Sequence, residues 1–172
     1  MISWRLIPLW LKLGGTALLA GGALIIGKKL APENPRIRVV KAAASQLGVQ
    51  NPDKYWALVN PGLVNSGKAW CGGFALWALK QAGLALNTTW HTNENHEGYG
   101  FAEVYKLPRT KSPLPGDIAY YDQPYQHHAI VTANDGQTVS TIDGNQAGNT
   151  VAVKTRPLTS ATTYYSIQPF LS

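Results

Sequence analysis

The hydrophobic period of the chain changes once, near Pro113, and that change narrows the possible folds more than any other feature. Before it, apolar residues recur at helical spacing. Val39, Val40, Ala43, Ala44 and Leu47 predict a helix over residues 36–47, with Gly48 placed to close it. Asn51-Pro52-Asp53 opens a second, shorter helix that Asn60-Pro61-Gly62 ends. Trp70, Phe74 and Trp77 fall at i, i+4 and i+7 and predict a third helix, stopped by Gly83. After Pro113 come five short β-rich runs, at 117–121, 127–133, 138–142, 150–154 and 163–168. Asp122-Gln123-Pro124, Asn134-Asp135-Gly136 and Asp143-Gly144-Asn145 read as the turns between them. Helices followed by an antiparallel sheet of about five strands make an α+β domain. Between the two halves, residues 87–112 are polar and irregular, a long loop with a short helix near residues 100–105.

The first thirty residues are of another kind. Residues 6–26 are apolar apart from Lys12, Thr16 and several glycines. At ~1.5 Å per residue, a helix of that length reaches roughly the ~30 Å of a bilayer core. Trp4 and Trp10 suit an interfacial belt, and Lys12 is near enough to one end to snorkel. Lys28-Lys29 directly after the apolar run argues against a cleaved signal peptide, the main alternative beside a buried helix. The expected organisation is a membrane anchor over 1–30 that engages lipid through residues 6–27, a linker over 31–36, and a domain over 37–172. Arg5, Lys12, Lys28 and Lys29 supply four of the net +6 charge, and no acid accompanies them. The remaining +2 makes no dense basic face, which argues against nucleic acid as a partner. The basic residues after the span, Lys28, Lys29, Arg36, Arg38 and Lys41, outnumber Arg5 before it. By the positive-inside rule they would hold the domain in the cytoplasm, in conflict with any substrate outside the membrane.

Cys71 is the one cysteine, so the chain has no internal disulfide and no zinc site built on two thiols. It falls in the first turn of the third helix. There the unpaired N–H groups and the helix dipole favour the thiolate, the attacking form of the group. His127-His128 heads an apolar strand, and Asp143-Gly144-Asn145 follows. An imidazole, from His127 or His128, can take the thiol proton, and Asp143 or Asn145 can orient that ring. The N–H of Cys71 and its neighbours can form an oxyanion hole. Cysteine, then histidine, then a polar orienting residue is the chain order of papain-like peptidases and amidases. His91 and His96, five residues apart, fit one helix face poorly as metal ligands.

Trp70-Cys71-Gly72-Gly73-Phe74-Ala75-Leu76-Trp77, followed by Lys80-Gln81-Ala82-Gly83-Leu84, resembles the nucleophile helix of CHAP-type amidohydrolases, relatives of the NlpC-type cell-wall peptidases. Pro113-Leu114-Pro115-Gly116-Asp117-Ile118-Ala119 resembles the family's Pro-Gly-Asp strand start. His127-His128-Ala129-Ile130-Val131 is similar to its His-Val-Gly/Ala-Ile-Val strand, and Asp143-Gly144-Asn145-Gln146 to its Glu-Gly-Asn turn. The resemblance spans about residues 37–170. It implies a papain-like fold with Cys71 as nucleophile and His127 as base. His128 stands where the family has an apolar residue. Asn145 is the first choice to orient His127, with Asp143, shorter than the family's Glu, the second. Trp70, His128 and Tyr121 are expected to contact substrate. The implied activity is hydrolysis of an amide in the peptide part of bacterial peptidoglycan, with no metal or organic cofactor. The membrane segment, and the lack of a recognisable wall-binding repeat, suit a membrane-tethered phage or prophage lysin facing the wall, or a virion-associated form. The alternatives are a papain-like protease or toxin acting on a protein, and a catalytically silent membrane-anchored structural protein.

Overall fold

The computed structural model describes residues 33–86, 101 and 105–171. The expected anchor at residues 6–27, His91, His96 and most of the expected helix near 100–105 lie outside them. Among the described residues, no helix is long and apolar enough to cross a membrane. Three α-helices come first: α1 (Pro35–Ala44), α2 (Asp53–Val59) and α3 (Cys71–Gln81). Six strands follow: β1 (Arg109–Thr110), β2 (Ile118–Tyr121), β3 (His127–Asn134), β4 (Thr138–Gln146), β5 (Thr150–Pro157) and β6 (Thr163–Tyr165). They form one antiparallel sheet in the order β1-β6-β2-β3-β4-β5. The α+β expectation holds, with one strand more than the five expected.

Local chemistry explains the helix ends. Asn34 caps α1, its side chain accepting from the N–H of Arg36 at 2.9 Å, and Pro35 takes the first turn, where a missing N–H costs nothing. Residues 35 and 36, expected in the linker, therefore belong to the helix. Gly48 (φ +81°) does not end α1 directly but turns the chain toward the sheet. Its N–H bonds to the carbonyl of Val151 on β5 at 2.9 Å, and the N–H of Val151 bonds back to Val49 at 3.0 Å.

The three helices cover one face of the sheet. Val39, Tyr55, Trp56, Phe74, Leu76 and Leu79 pack there against Ile118, Tyr120, Ile130, Ile142 and Tyr165. The opposite face carries a smaller apolar group, Ala119, Tyr121, Ala129, Val131, Val139 and Tyr164, edged by Leu158 and Ala161. Two close approaches set α3. A Cβ on Gly73 would lie 2.4 Å from the Trp56 ring, and one on Gly144 would lie 2.8 Å from Phe74 Cβ and Trp70 Cζ3. Both positions need glycine for space, and Gly144 lets the start of α3 settle directly on β4. Tyr55 then joins the rings around it, stacked on Trp70 at 5.4 Å and edge-on to Phe74 and Trp77 at 5.3 and 5.1 Å.

A buried ion pair fixes the other end. Asp117, just before β2 and 1% exposed, accepts from Arg36 Nη1 at 2.7 Å and from the N–H groups of Leu114 and Ile167 at 2.8 and 3.0 Å. Arg36 also donates to the carbonyl of Pro115 at 3.0 Å. One carboxylate thus joins α1, the Pro-Gly-Asp segment and the C-terminal end of the chain.

Candidate active site

Cys71 is the first residue of α3. Trp70 occupies the N-cap without a side-chain bond to the helix, and the first turn contains no acid. A Ser or Asp cap would stabilise such a helix by about 1 kcal/mol. Without one, the N–H groups and positive dipole end of the first turn stay turned toward the sulfur and whatever binds beside it.

Both histidines lie near enough to the sulfur to act on its charge. These enter β3 in alternation and have different neighbours. His128 faces the helices, 1% exposed, against Phe101 at 5.2 Å and Tyr120 at 5.0 Å. His127 lies by Tyr121 at 6.1 Å and reaches Asp143 on β4, Nε2 to Oδ2, at 2.9 Å. With Nε2 committed to the carboxylate, Nδ1 is the nitrogen left for the Cys71 proton. Gln146 Nε2 stands 3.1 Å from the same ring nitrogen and 3.3 Å from Asp143 Oδ2. Once His127 Nε2 carries a proton it cannot accept, so the amide donates to the carboxylate.

Asp143 is fully buried and held on both oxygens. Oδ1 accepts from the Thr141 hydroxyl, and Oδ2 accepts from Arg156 Nη2 at 2.6 Å. Arg156 Nη1 donates to Thr141 Oγ1 at 2.9 Å, closing a ring of hydrogen bonds. The guanidinium lies 4.8 Å over the Tyr121 ring.

Charge follows from these contacts. Burial alone would push the Cys71 thiol up, but hydrogen bonds and positive charge from His127, and then from His128, outweigh it and bring the pKa down to about 5. Burial would lower His127, while Asp143 and the Cys71 thiolate raise it to about 9. For Asp143, burial favours the neutral acid, and His127 and Arg156 together hold it below the usual carboxylate range. Burial pushes Tyr121 up to about 12, so the phenol beside Arg156 stays neutral. At neutral pH the site is a thiolate, an imidazolium and a carboxylate in a row.

The structure therefore gathers Cys71, His127 and Asp143. Asn145, the first choice to orient the imidazole, has φ +57° and makes no hydrogen bond to His127. It lines a cleft of about 240 Å³ with Pro52, Gly67, Lys68, Ala69, Trp70 and Asn149. Of the expected substrate contacts, Trp70 borders that cleft, its indole N–H bonded to Asn149 Oδ1 at 2.8 Å. His128 and Tyr121 are instead packed inside, one behind the sulfur and the other under Arg156. Sequence reasoning missed Thr141, Gln146 and Arg156. For Thr141 a signal existed, since residues i and i+2 of a strand share a face and Thr141 thereby neighbours Asp143. Among the described residues, no group of three or more His, Cys, Asp or Glu side chains could hold a metal ion.

A thiol at an open helix N-terminus, joined through imidazole to a buried carboxylate, is the arrangement of a cysteine hydrolase. Residues 63–145 match the family model of the CHAP domain, which implies a cysteine, histidine-dependent amidohydrolase or peptidase. The match takes in Cys71, His127, Asp143 and Asn145 and stops short of Gln146 and Arg156. Neither a curated protein nor a solved structure matches the chain.

Proposed function

We propose that this protein hydrolyses an amide bond in the peptide part of bacterial peptidoglycan. The observation that carries the reading is the Cys71–His127–Asp143 chain at the uncapped start of α3, inside the span that matches the CHAP model. The Cys71 thiolate attacks the carbonyl carbon, and the N–H groups of the first helical turn receive the developing oxyanion. His127 gives its Nδ1 proton to the leaving amine as the C–N bond breaks, leaving a thioester on Cys71. Water then attacks the thioester, passing one proton to His127. The C–S bond breaks, the wall peptide leaves as a carboxylic acid that gives its proton to solvent, and the thiolate–imidazolium pair returns. Asp143 holds the ring throughout. The cleft lined by Trp70, Asn145 and Asn149 reaches the residue before Cys71 and supports binding of an extended peptide at the start of α3.

In this reading residues 6–27 tether the enzyme to a membrane and the domain works on the adjacent wall, as a phage or prophage lytic enzyme does. Digestion of purified peptidoglycan followed by mass spectrometry of the muropeptides tests it. The parent should release new amino termini or free the stem peptide from the glycan, and Cys71→Ala should release neither. Clearing by the alanine variant at the parent's rate would end the thiol mechanism. Unchanged muropeptides from a thiol-reactive parent would shift the substrate to a protein, as the basic residues after the apolar segment would favour.

A further inference from the structure

Arg156 lies on β5, outside the span matched by the CHAP model, directly opposite Val139 in the β4–β5 register. Its side chain runs along the sheet face from that position past Thr141 to Asp143. Both terminal nitrogens are used there, Nη1 on Thr141 Oγ1 at 2.9 Å and Nη2 on Asp143 Oδ2 at 2.6 Å. Thr141 in turn bonds the other carboxylate oxygen. The planar fork spans hydroxyl and carboxylate together, a geometry a lysine cannot reproduce. Tyr121, on β2, supports the guanidinium from the far side at 4.8 Å. Arg156 also takes the same oxygen that receives His127, which places a fixed cation one carboxylate away from the catalytic imidazole.

We infer that Arg156 is a positioning residue for the reaction: with Thr141 it locks Asp143 in one ionised rotamer, and through it sets the orientation of His127 toward Cys71. The inference rests on the reading of Cys71 as nucleophile. Among the described residues, Arg156 is the one arginine or lysine bonded to this carboxylate, beside the imidazole of His127. The titratable groups around Asp143 are His127 from β3, Tyr121 from β2 and Arg156 from β5, with Cys71 of α3 and then His128 beyond the imidazole and Tyr164 of β6 beyond the guanidinium. The fixed positive charge of Arg156 favours proton loss at Cys71 and His127. Its removal therefore moves both limbs of the thiol's pH profile upward, the acid limb set by Cys71 and the alkaline limb set by His127.

The test compares the full-length parent with Arg156→Gln, Arg156→Lys and Thr141→Val. One readout is the rate of Cys71 alkylation by iodoacetamide across pH, which needs no substrate. The other is peptidoglycan hydrolysis as a function of substrate concentration. Arg156→Gln should lower kcat about tenfold or more, in line with losses at residues that orient a reacting group, and leave KM little changed. Its alkylation limbs should both rise. Arg156→Lys should return the limbs toward the parent without returning kcat, since charge is kept and the fork is lost. Thr141→Val should lower kcat with limbs near the parent's. Arg156→Gln limbs that coincide with the parent's, whatever the amplitude, would overturn the positioning role, because a purely structural role lowers the folded fraction without moving them. A parent whose thiol titrates as an ordinary one would overturn the nucleophile reading itself, and the clamp with it. That result is seen in the parent alone and so is distinct from failure of the clamp.

Discussion

Cys71 is 7% exposed, and a thiol so placed would ordinarily stay protonated to higher pH than one in water. The opposite happens here because two imidazoles act on the sulfur and one of them is backed by a carboxylate. The consequence is a pH window. Below about 5 the thiolate takes a proton and attack stops. Above about 9 His127 loses the proton that the leaving amine needs. Hydrolysis should therefore hold a plateau between these limits, measured as initial rate in buffers of constant ionic strength. His127→Ala leaves burial unopposed by its main partner, so alkylation of Cys71 should begin only at higher pH, with turnover reduced by about 10² to 10⁴. Asp143→Asn keeps the shape and removes the charge that raises His127. Its alkaline limb should fall from about 9 toward the ordinary histidine range, and a limb that stays in place would mean that Asp143 does not act on His127 electrostatically.

At the scale of elements, the site depends on how α3 meets β4. The third helix and the sheet strands β2 to β6 were legible because 3.6- and 2-residue periods announce a half-buried face. The two-residue β1 was not, since no period is visible over Arg109-Thr110. Asp143-Gly144-Asn145 was misread as a turn for a physical reason: those residue types prefer turns, but here they complete β4. A register shift between Asp143 and Gln146, with Asn145 at positive φ, absorbs their preference as a bulge, and the chain reverses only afterwards. That shift put Asp143 on the ring and took Asn145 to the cleft. Arg156 was hidden because β5 reads as ending at Lys154, and a charged residue on an edge strand looks like a solvated one. Gly144→Ala tests the helix–strand contact. Its Cβ would meet Phe74 and Trp70 at 2.8 Å, so α3 must back away, at a cost of roughly 1–3 kcal/mol, and the sulfur moves with it. A lower melting temperature together with loss of Cys71 alkylation at neutral pH is expected. Arg36→Ala acts far from the sulfur. It leaves Asp117 buried with two N–H donors and no cation, which should cost about 3 kcal/mol in urea unfolding while the folded fraction keeps its turnover.

At the scale of the molecule, the core draws its side chains from Val39 to Leu171, and the row of Cys71, His127 and Asp143 lies within that stretch. Residues 33–172 form one compact unit by their internal contacts. The charge is divided differently: four of the six net positive charges precede residue 31, around the apolar run. If that run is a tether, folding and chemistry belong to one part of the chain and lipid binding to the other, and the two properties should separate on deletion. A protein lacking residues 1–32 should unfold at the same urea midpoint as the full chain and clear purified peptidoglycan in solution at the same rate per mole. It should also lose co-sedimentation with vesicles of phosphatidylglycerol, which the full chain should retain at moderate salt if apolar insertion, and not charge alone, holds it there. Vesicle binding that persists after the deletion would place the lipid contact on the domain itself. A deletion that unfolds the protein would show that the first thirty-two residues contribute to the core.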